Sequence, residues 1–139
     1  MFGDQLNDNM ILGIGTDIVD TRRIQAAMQR HPDRFVKTCF TDTEIEQSQD
    51  QASYFAKRFA VKEAVYKALS ISGTSGCKWH EVETVSAPNG APIVNLTGRC
   101  KTALETMTPN GYTADLAVSL SDEPPYALAF IVISAEPNG

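Results

Sequence analysis

The sequence is poor in cysteine and histidine. Its 139 residues include three cysteines, Cys39, Cys77 and Cys100, and two histidines, His31 and His80. The cysteines are odd in number and form no CxxC pair, so we interpret them as reduced, small apolar residues. A zinc site or a disulfide framework is not indicated. Neither histidine has a matched nucleophile and carboxylate around it, which disfavours Ser-His-Asp catalysis and zinc-dependent hydrolysis.

Long apolar runs and excess positive charge are also missing. No apolar run approaches the length of about 20 residues that spans a membrane, and residues 1–9 lack the features of a signal peptide. The formal net charge of -5 disfavours general nucleic-acid binding, which needs a basic surface. We therefore expect a cytoplasmic protein with a flexible extension at residues 1–9 and a single domain at residues 10–139.

The most informative stretch is residues 55–69. It contains no Gly or Pro and is rich in Ala, which predicts a helix, and it is apolar nearly all round, which predicts burial. It nevertheless carries four charged residues, Arg58, Lys62, Glu63 and Lys67. Buried charges are costly unless they are paired or bound to a ligand. Two explanations are open: a structural Glu63–Lys67 pair at i,i+4, or a site that handles an anion or a metal.

A second carboxylate stands in a predicted strand over residues 10–19. Strict alternation places Leu12, Ile14, Thr16 and Ile18 on one face, and Ile11, Gly13, Gly15, Asp17 and Val19 on the other. The two glycines allow a backbone or a ligand to come close to that second face. Asp20 is the better N-cap for the helix predicted over residues 20–30. Asp17 then has no evident structural role and becomes a candidate functional residue.

Local patterns predict the remaining elements. A capping box at residues 41–44 opens a helix over residues 42–49. Strands at residues 79–86 and 91–96 flank an Asn-Gly turn, a helix follows over residues 97–108, and two strands occupy residues 114–120 and 126–134. The order is one strand, three helices, two strands, one helix and two strands. It predicts an α+β fold with a mainly antiparallel sheet packed on the long central helix.

One stretch is basic although the protein is acidic. Two explanations are open for it: a solvated helix face, or a docking surface for an acidic partner with Phe35 as its apolar anchor. The positive residues are Arg22, Arg23, Arg30, Arg34 and Lys37.

The two candidate carboxylates suggest a chemistry. Hard oxygen ligands such as those of Asp17 and Glu63 suit Mg²⁺, which usually binds together with substrate phosphates. Arg58, Lys62 and Lys67 would then hold the remaining phosphate charge. If the carboxylates meet in space, they indicate Mg²⁺-assisted phosphoryl or phosphodiester chemistry. The competing hypothesis is a catalytically silent adaptor that binds an acidic protein through the basic stretch.

Two segments resemble a known family. Gly-Ile-Gly-Thr-Asp-Ile-Val at residues 13–19 and Arg-Phe-Ala-Val-Lys-Glu-Ala-Val-Tyr-Lys-Ala-Leu at residues 58–69 are similar to the signature segments of holo-acyl carrier protein synthase. This is the short type of 4′-phosphopantetheinyl transferase. The resemblance runs from about residue 10 to residue 134 and includes Gly76, Trp79 and the turn at residues 89–92.

The resemblance implies an activity. The enzyme would transfer the 4′-phosphopantetheine of coenzyme A to a serine of apo-acyl carrier protein, release 3′,5′-ADP and serve fatty acid biosynthesis. It implies that Asp17 and Glu63 ligate Mg²⁺, that Glu63 helps to deprotonate the serine, and that Lys67 neutralises the leaving phosphate. Arg58, Lys62 and Lys67 would contribute charge to coenzyme A binding.

The resemblance also implies partners. Arg23, Arg30, Arg34 and Phe35 would dock the acidic carrier protein, and a homotrimer would hold coenzyme A in active sites between its subunits. The sequence departs from the family pattern in two places. Residues 70–72 are Ser-Ile-Ser where many relatives have Gly-Thr-Gly, and Asp122 stands where many have His. We therefore assign no ligand contact to either.

Overall fold

The structure is a computed structural model that describes residues 8–70 and 76–139. The predictions for residues 1–7 and for the loop at residues 71–75 lie outside these described residues. The elements, in chain order, are β1 (Met10–Asp20), α1 (Thr21–Arg30), α2 (Pro32–Cys39), α3 (Asp42–Ser48), α4 (Ala52–Ala68), a 3-10 turn (Trp79–Glu81), β2 (Val82–Ser86), β3 (Pro92–Leu96), α5 (Gly98–Met107), β4 (Tyr112–Glu123) and β5 (Tyr126–Pro137). None of the helices among the described residues is long and apolar enough to cross a membrane.

The strands form two antiparallel sheets. One has the order β1-β5-β4, and the other is the hairpin of β2 and β3. Gly90 lies in the turn of that hairpin with a φ of 86°, a conformation that glycine adopts without steric cost. The predicted α+β fold with antiparallel pairing is confirmed. The strand predicted to begin at residue 79 starts three residues later, because Trp79–Glu81 forms the 3-10 turn.

Helix α4 packs against β1 and β5 and forms the centre of the core. Phe55, Val61 and Val65 on this helix are fully buried, as its apolar surface predicts. The two glycines of β1 make the contact possible. A Cβ atom would lie 2.3 Å from the Ala68 carbonyl oxygen if added at Gly13, and 1.9 Å from the Ala64 carbonyl oxygen if added at Gly15. The glycines therefore let the strand backbone approach the helix backbone, as the sequence predicts.

Strand β1 contains a bulge that the sequence analysis missed. Its register against β5 shifts between Ile11 and Gly13. As a result Ile11 is 65% exposed, whereas Leu12 packs against the core. The predicted faces of Ile11 and Leu12 are therefore wrong, because a bulge inserts one extra residue and reverses the alternation before it. Asp17 keeps its predicted place on the helix-facing side, two residues beyond Gly15.

Two helix caps behave as predicted and one helix was missed. The Asp20 side chain accepts a hydrogen bond from the Arg22 N–H at 2.9 Å and caps α1, and Thr41 opens α3 with a complete capping box. Among the described residues, four helices precede the hairpin instead of the predicted three, because α2 is a separate helix. Its Pro32 stands in the first turn, where proline is well tolerated. The short, highly charged segment shows too little periodicity to predict a helix.

Candidate active site

Three predicted functional side chains meet where β1 crosses α4. Asp17 lies near the end of the strand, and Glu63 and Lys67 lie one turn apart on the helix. The Lys67 Nζ atom is 2.9 Å from Asp17 Oδ1 and donates a second hydrogen bond to the Thr16 carbonyl oxygen, also at 2.9 Å. The close approach of the two backbones at Gly15 brings the strand carboxylate to the helix charges.

The charge balance of this site favours a cation. Burial, and then the negative charge of Asp17, raise the pKa of Glu63, while Lys67 and Arg23 act in the opposite direction. The two carboxylates are thus close enough to repel each other. Their oxygens are hard ligands of the kind that Mg²⁺ prefers. The residues present therefore fit a magnesium ion.

The alternative of a structural Glu63–Lys67 pair is not what the structure shows. Among the described residues, the ion pair of Lys67 is with Asp17. The Lys67 side chain is 56% exposed, and an exposed ion pair of this type contributes little to stability. Lys67 can therefore exchange its carboxylate partner for a ligand at low cost.

Lys62 is placed differently from its neighbour Glu63. Its Nζ atom is 2.8 Å from Glu44 Oε1 and also donates a hydrogen bond to the Val82 carbonyl oxygen. Both charged side chains are 0% exposed, and burial lowers the pKa of Lys62 although Glu44 partly offsets it. This geometry argues against the expected contribution of Lys62 to coenzyme A binding, because a fully buried ammonium group offers nothing to a ligand.

Arg58 lines a separate hollow. Its guanidinium carbon is 3.7 Å from the centre of the Tyr54 ring, and Nη2 donates a hydrogen bond to Ser86 Oγ at 3.3 Å. The buried Nε atom has no hydrogen-bond partner among the described residues. Arg58 lines a hollow of about 570 Å³ together with Lys57 and Asp122. The last two residues form an ion pair at 3.0 Å. A guanidinium group that lines a hollow can bind an anion.

Sequence reasoning missed the two residues that hold Arg58. Tyr54 precedes it by four positions on the same helix, and this spacing was a usable signal for a ring–guanidinium contact. Ser86 is 28 residues away, so no local pattern points to it. Residues five apart on a helix also differ in direction by about 140°, and Arg58 and Glu63 therefore face different sides of α4.

The predicted docking residues lie on α1 and α2. Arg23, Arg30 and Arg34 are exposed, whereas Phe35 is half-buried. The Phe35 ring lies 6.1 Å from Phe40, so it is part of an internal aromatic cluster and does not project as an anchor. It forms one wall of a hollow of about 340 Å³, whose other lining residues are His31, Arg34, Thr38 and Cys39.

The outer face of β1 and β5 carries large apolar side chains that are exposed. It is the face turned away from α4, and these side chains are between 41 and 65% exposed. A group of exposed apolar side chains of this kind usually marks an interaction surface. Its members are Ile11, Ile14 and Ile18 on β1, and Tyr126, Leu128 and Phe130 on β5.

The fold and the site define an α+β protein with a carboxylate pair and a lysine suited to phosphoryl transfer. Comparison with known proteins identifies it more closely. The 4′-phosphopantetheinyl transferase superfamily matches residues 13–129, and the chain belongs to this family.

Individual relatives support this assignment. A holo-acyl-carrier-protein synthase of Methylorubrum extorquens (strain PA1) is 45% identical over 131 residues, which cover 92% of this chain and 96% of that protein. The enzyme of the same name from Rhodopseudomonas palustris (strain BisA53) is 43% identical over 137 residues, with 94% and 99% covered.

A solved structure supports it as well. The crystal structure of Helicobacter pylori holo-acyl-carrier-protein synthase in complex with coenzyme A has a TM-score of 0.73 and 28% identity, and it covers 86% of this chain and 98% of that one. The resemblance predicted from the sequence, the enzyme class and the fold are thereby confirmed.

Proposed function

We propose that the protein transfers 4′-phosphopantetheine from coenzyme A to a serine hydroxyl of apo-acyl carrier protein and releases 3′,5′-ADP. The observation that carries the proposal is the meeting of Asp17, Glu63 and Lys67 at the contact of β1 and α4. The names of the closely similar relatives support it. So does the coenzyme A bound to the Helicobacter pylori enzyme. The protein would act in the cytoplasm and serve fatty acid biosynthesis.

Each residue of the site has a task in this reaction. Asp17 and Glu63 would hold Mg²⁺, which neutralises charge on the pyrophosphate of coenzyme A. Glu63 would also accept the proton of the attacking serine. Lys67 leaves Asp17 and neutralises the departing phosphate, a move that its exposure permits.

The hollow beside Arg58 would bind another phosphate of coenzyme A. Because Arg58 and Glu63 face different sides of α4, this hollow is better placed to complete the site of a neighbouring subunit. The exposed apolar side chains on the outer face of β1 and β5 provide a surface on which a second copy can pack. We therefore propose a homotrimer with active sites between its subunits.

The carrier protein would bind on the surface formed by α1 and α2. Arg23, Arg30 and Arg34 are exposed there, and positive residues attract an acidic partner before contact. Arg23 also lowers the pKa of Glu63, so a carrier bound at this surface would have its serine near the carboxylates. Phe35 would contribute the apolar wall of the neighbouring hollow.

A mass measurement tests the proposed activity. The protein is incubated with apo-acyl carrier protein, coenzyme A and Mg²⁺, and we expect the carrier to become heavier by one phosphopantetheine group. Glu105→Gln, at an exposed position on α5, is the control for a glutamate outside the site and should remain active. Carrier binding with no mass gain at any Mg²⁺ concentration would instead identify a catalytically silent adaptor.

A further inference from the structure

Two of the three cysteines come together with a glutamate outside the proposed active site. Cys77 precedes the 3-10 turn, Glu81 ends that turn, and Cys100 lies in the first turn of α5. One potential ligand atom from each residue lies within 4.8 Å of the other two. From the sequence alone, these cysteines are interpreted as reduced, small apolar residues. Their separation of more than twenty positions has none of the short spacings that indicate a metal site.

The Glu81 carboxylate is held in position by the backbone. Its Oε1 atom accepts the Lys78 N–H at 3.0 Å, and its Oε2 atom accepts the Arg99 N–H at 3.2 Å. Gly98 leaves room for it, since a Cβ atom there would lie 2.0 Å from Oε2. Each carboxylate oxygen can accept more than one hydrogen bond or coordinate a cation in addition. The fixed carboxylate is therefore pre-oriented in the way that metal ligands usually are.

The cluster is largely buried. Cys100 is 0% exposed and Glu81 is 9% exposed, and Cys77 is half-buried. Two thiols and one carboxylate therefore lie together where a bound cation would be mostly shielded from solvent.

We propose that Cys77, Glu81 and Cys100 form a binding site for a thiophilic divalent cation such as Zn²⁺. Zinc binds thiolates at about 2.3 Å and carboxylates at about 2.0–2.2 Å in a tetrahedral arrangement. Ligand atoms within 4.8 Å of one another need only a small contraction to reach it. Binding releases the two thiol protons to solvent and forms two metal–sulfur bonds and one metal–oxygen bond. A water molecule would complete the four ligands.

This site differs in chemistry from the carboxylate pair. Thiolates select Zn²⁺ and similar soft cations, whereas the all-oxygen set of Asp17 and Glu63 suits Mg²⁺. The bound cation would fasten Cys77 to the start of α5 and to the turn before β2. It would therefore brace the chain where it passes from α4 to the hairpin.

Titration of the full, reduced chain with Cd²⁺ tests the proposal. We expect thiolate-to-metal charge-transfer absorption that saturates at one ion per chain. Zn²⁺ should displace the Cd²⁺ and raise the midpoint of thermal unfolding, because the ion binds the folded state. Cys77→Ser and Cys100→Ala should each weaken binding by about tenfold or more. Because Cys77 is only half-buried, its substitution should disturb the fold less than that of Cys100.

Two controls keep the result specific. Cys39→Ser removes a buried cysteine outside the cluster and should leave the absorption unchanged. Glu63→Gln should also leave it unchanged, so failure here is separate from failure of the proposed transferase. An absent absorption band, or equal loss in the Cys39 variant, would overturn the proposal. It is also overturned if the reduced chain binds no cation and mild oxidation simply joins Cys77 to Cys100.

Discussion

The Nζ atom of Lys67 lies 2.9 Å from Oδ1 of Asp17 and so joins helix α4 to strand β1. The lysine pairs with the carboxylate of the strand although Glu63 is one turn away on its own helix. Glu63 is therefore left in a partly buried position where the charge of Asp17 opposes its ionisation. A bound cation would offset the negative charge of the two carboxylates.

Glu63→Gln should raise the stability of the fold and lower the activity. The pKa of Glu63 in the folded chain is raised above its ordinary value of 4.5. At pH values between 4.5 and this raised pKa, the folded chain therefore binds more protons than the unfolded chain. Folding stability therefore falls as the pH rises through that interval. The variant lacks this penalty, so we expect it to be more stable than the parent at neutral pH, with the advantage disappearing below pH 4.5. Urea unfolding over a pH series measures this.

Activity and magnesium complete the test of Glu63. Loss of a group that ligates the metal and accepts the proton should lower the transfer rate by about 100-fold or more. Mg²⁺ should raise the unfolding temperature of the parent and have a smaller effect on the variant. Equal activity of parent and variant would remove Glu63 from the mechanism.

Lys62→Met should destabilise the fold. The change leaves Glu44 buried without its partner at 2.8 Å, and breaking a buried ion pair costs about 3–5 kcal/mol. The double variant Lys62→Met/Glu44→Gln removes the unpaired charge and keeps a residue that can complete the capping box. It should therefore be more stable than Lys62→Met alone, as measured by urea unfolding. A single variant as stable as the parent would show that Lys62 has no structural role.

Gly15→Ala should separate the strand from the helix. Its Cβ atom would lie 1.9 Å from the Ala64 carbonyl oxygen, so the backbones must move apart, at a cost of about 3 kcal/mol or more. Gly111→Ala is the matched control. Gly111 has a φ of 83° and no atom near its added Cβ, so only the conformational cost of about 1–2 kcal/mol applies. Equal losses at the two positions would contradict the close-approach argument.

A charge on the outer face of the sheet should disrupt the proposed trimer. Ile14 and Ile18 are 59% and 57% exposed in the single chain, so Ile18→Lys costs little within one subunit but would leave a charge buried in the proposed subunit contact. We expect light scattering to show a trimer for the parent and smaller species for the variant. Lys101→Glu, at an exposed position on α5, controls for a charge change elsewhere. A parent that is monomeric at high concentration would refute the trimer.

Charge reversal on α1 and α2 should weaken carrier binding. Arg30→Glu and Arg34→Glu replace exposed positive charges, so we expect a slower association with acyl carrier protein and a weaker dependence on salt. Stopped-flow association at several ionic strengths measures both quantities, with Lys101→Glu again as the control. An unchanged salt dependence would mean that the basic stretch is only a solvated surface.

The sequence alone predicts the features that depend on interactions between residues close together in the chain. The apolar, Ala-rich surface of α4, the cap at Asp20, the capping box at Thr41 and the Asn-Gly turn all depend on residues within about four positions of one another. The bulge at Leu12 could not be foreseen, since it is a property of pairing with β5. Helix α2 was missed because a short charged segment becomes helical only when its apolar side packs on the core.

The same distinction between local and tertiary interactions applies to the candidate site. Composition and spacing singled out Asp17, Glu63 and the cations of the central helix, because charges in an apolar helix are visible in the sequence itself. Which partner each one has was decided by the tertiary structure: Lys67 joins Asp17, Lys62 joins Glu44, and Cys77 meets Cys100. These contacts link residues 18 to 50 positions apart. Local periodicity does not predict contacts over such sequence separations, because they depend on how whole helices and strands pack against one another.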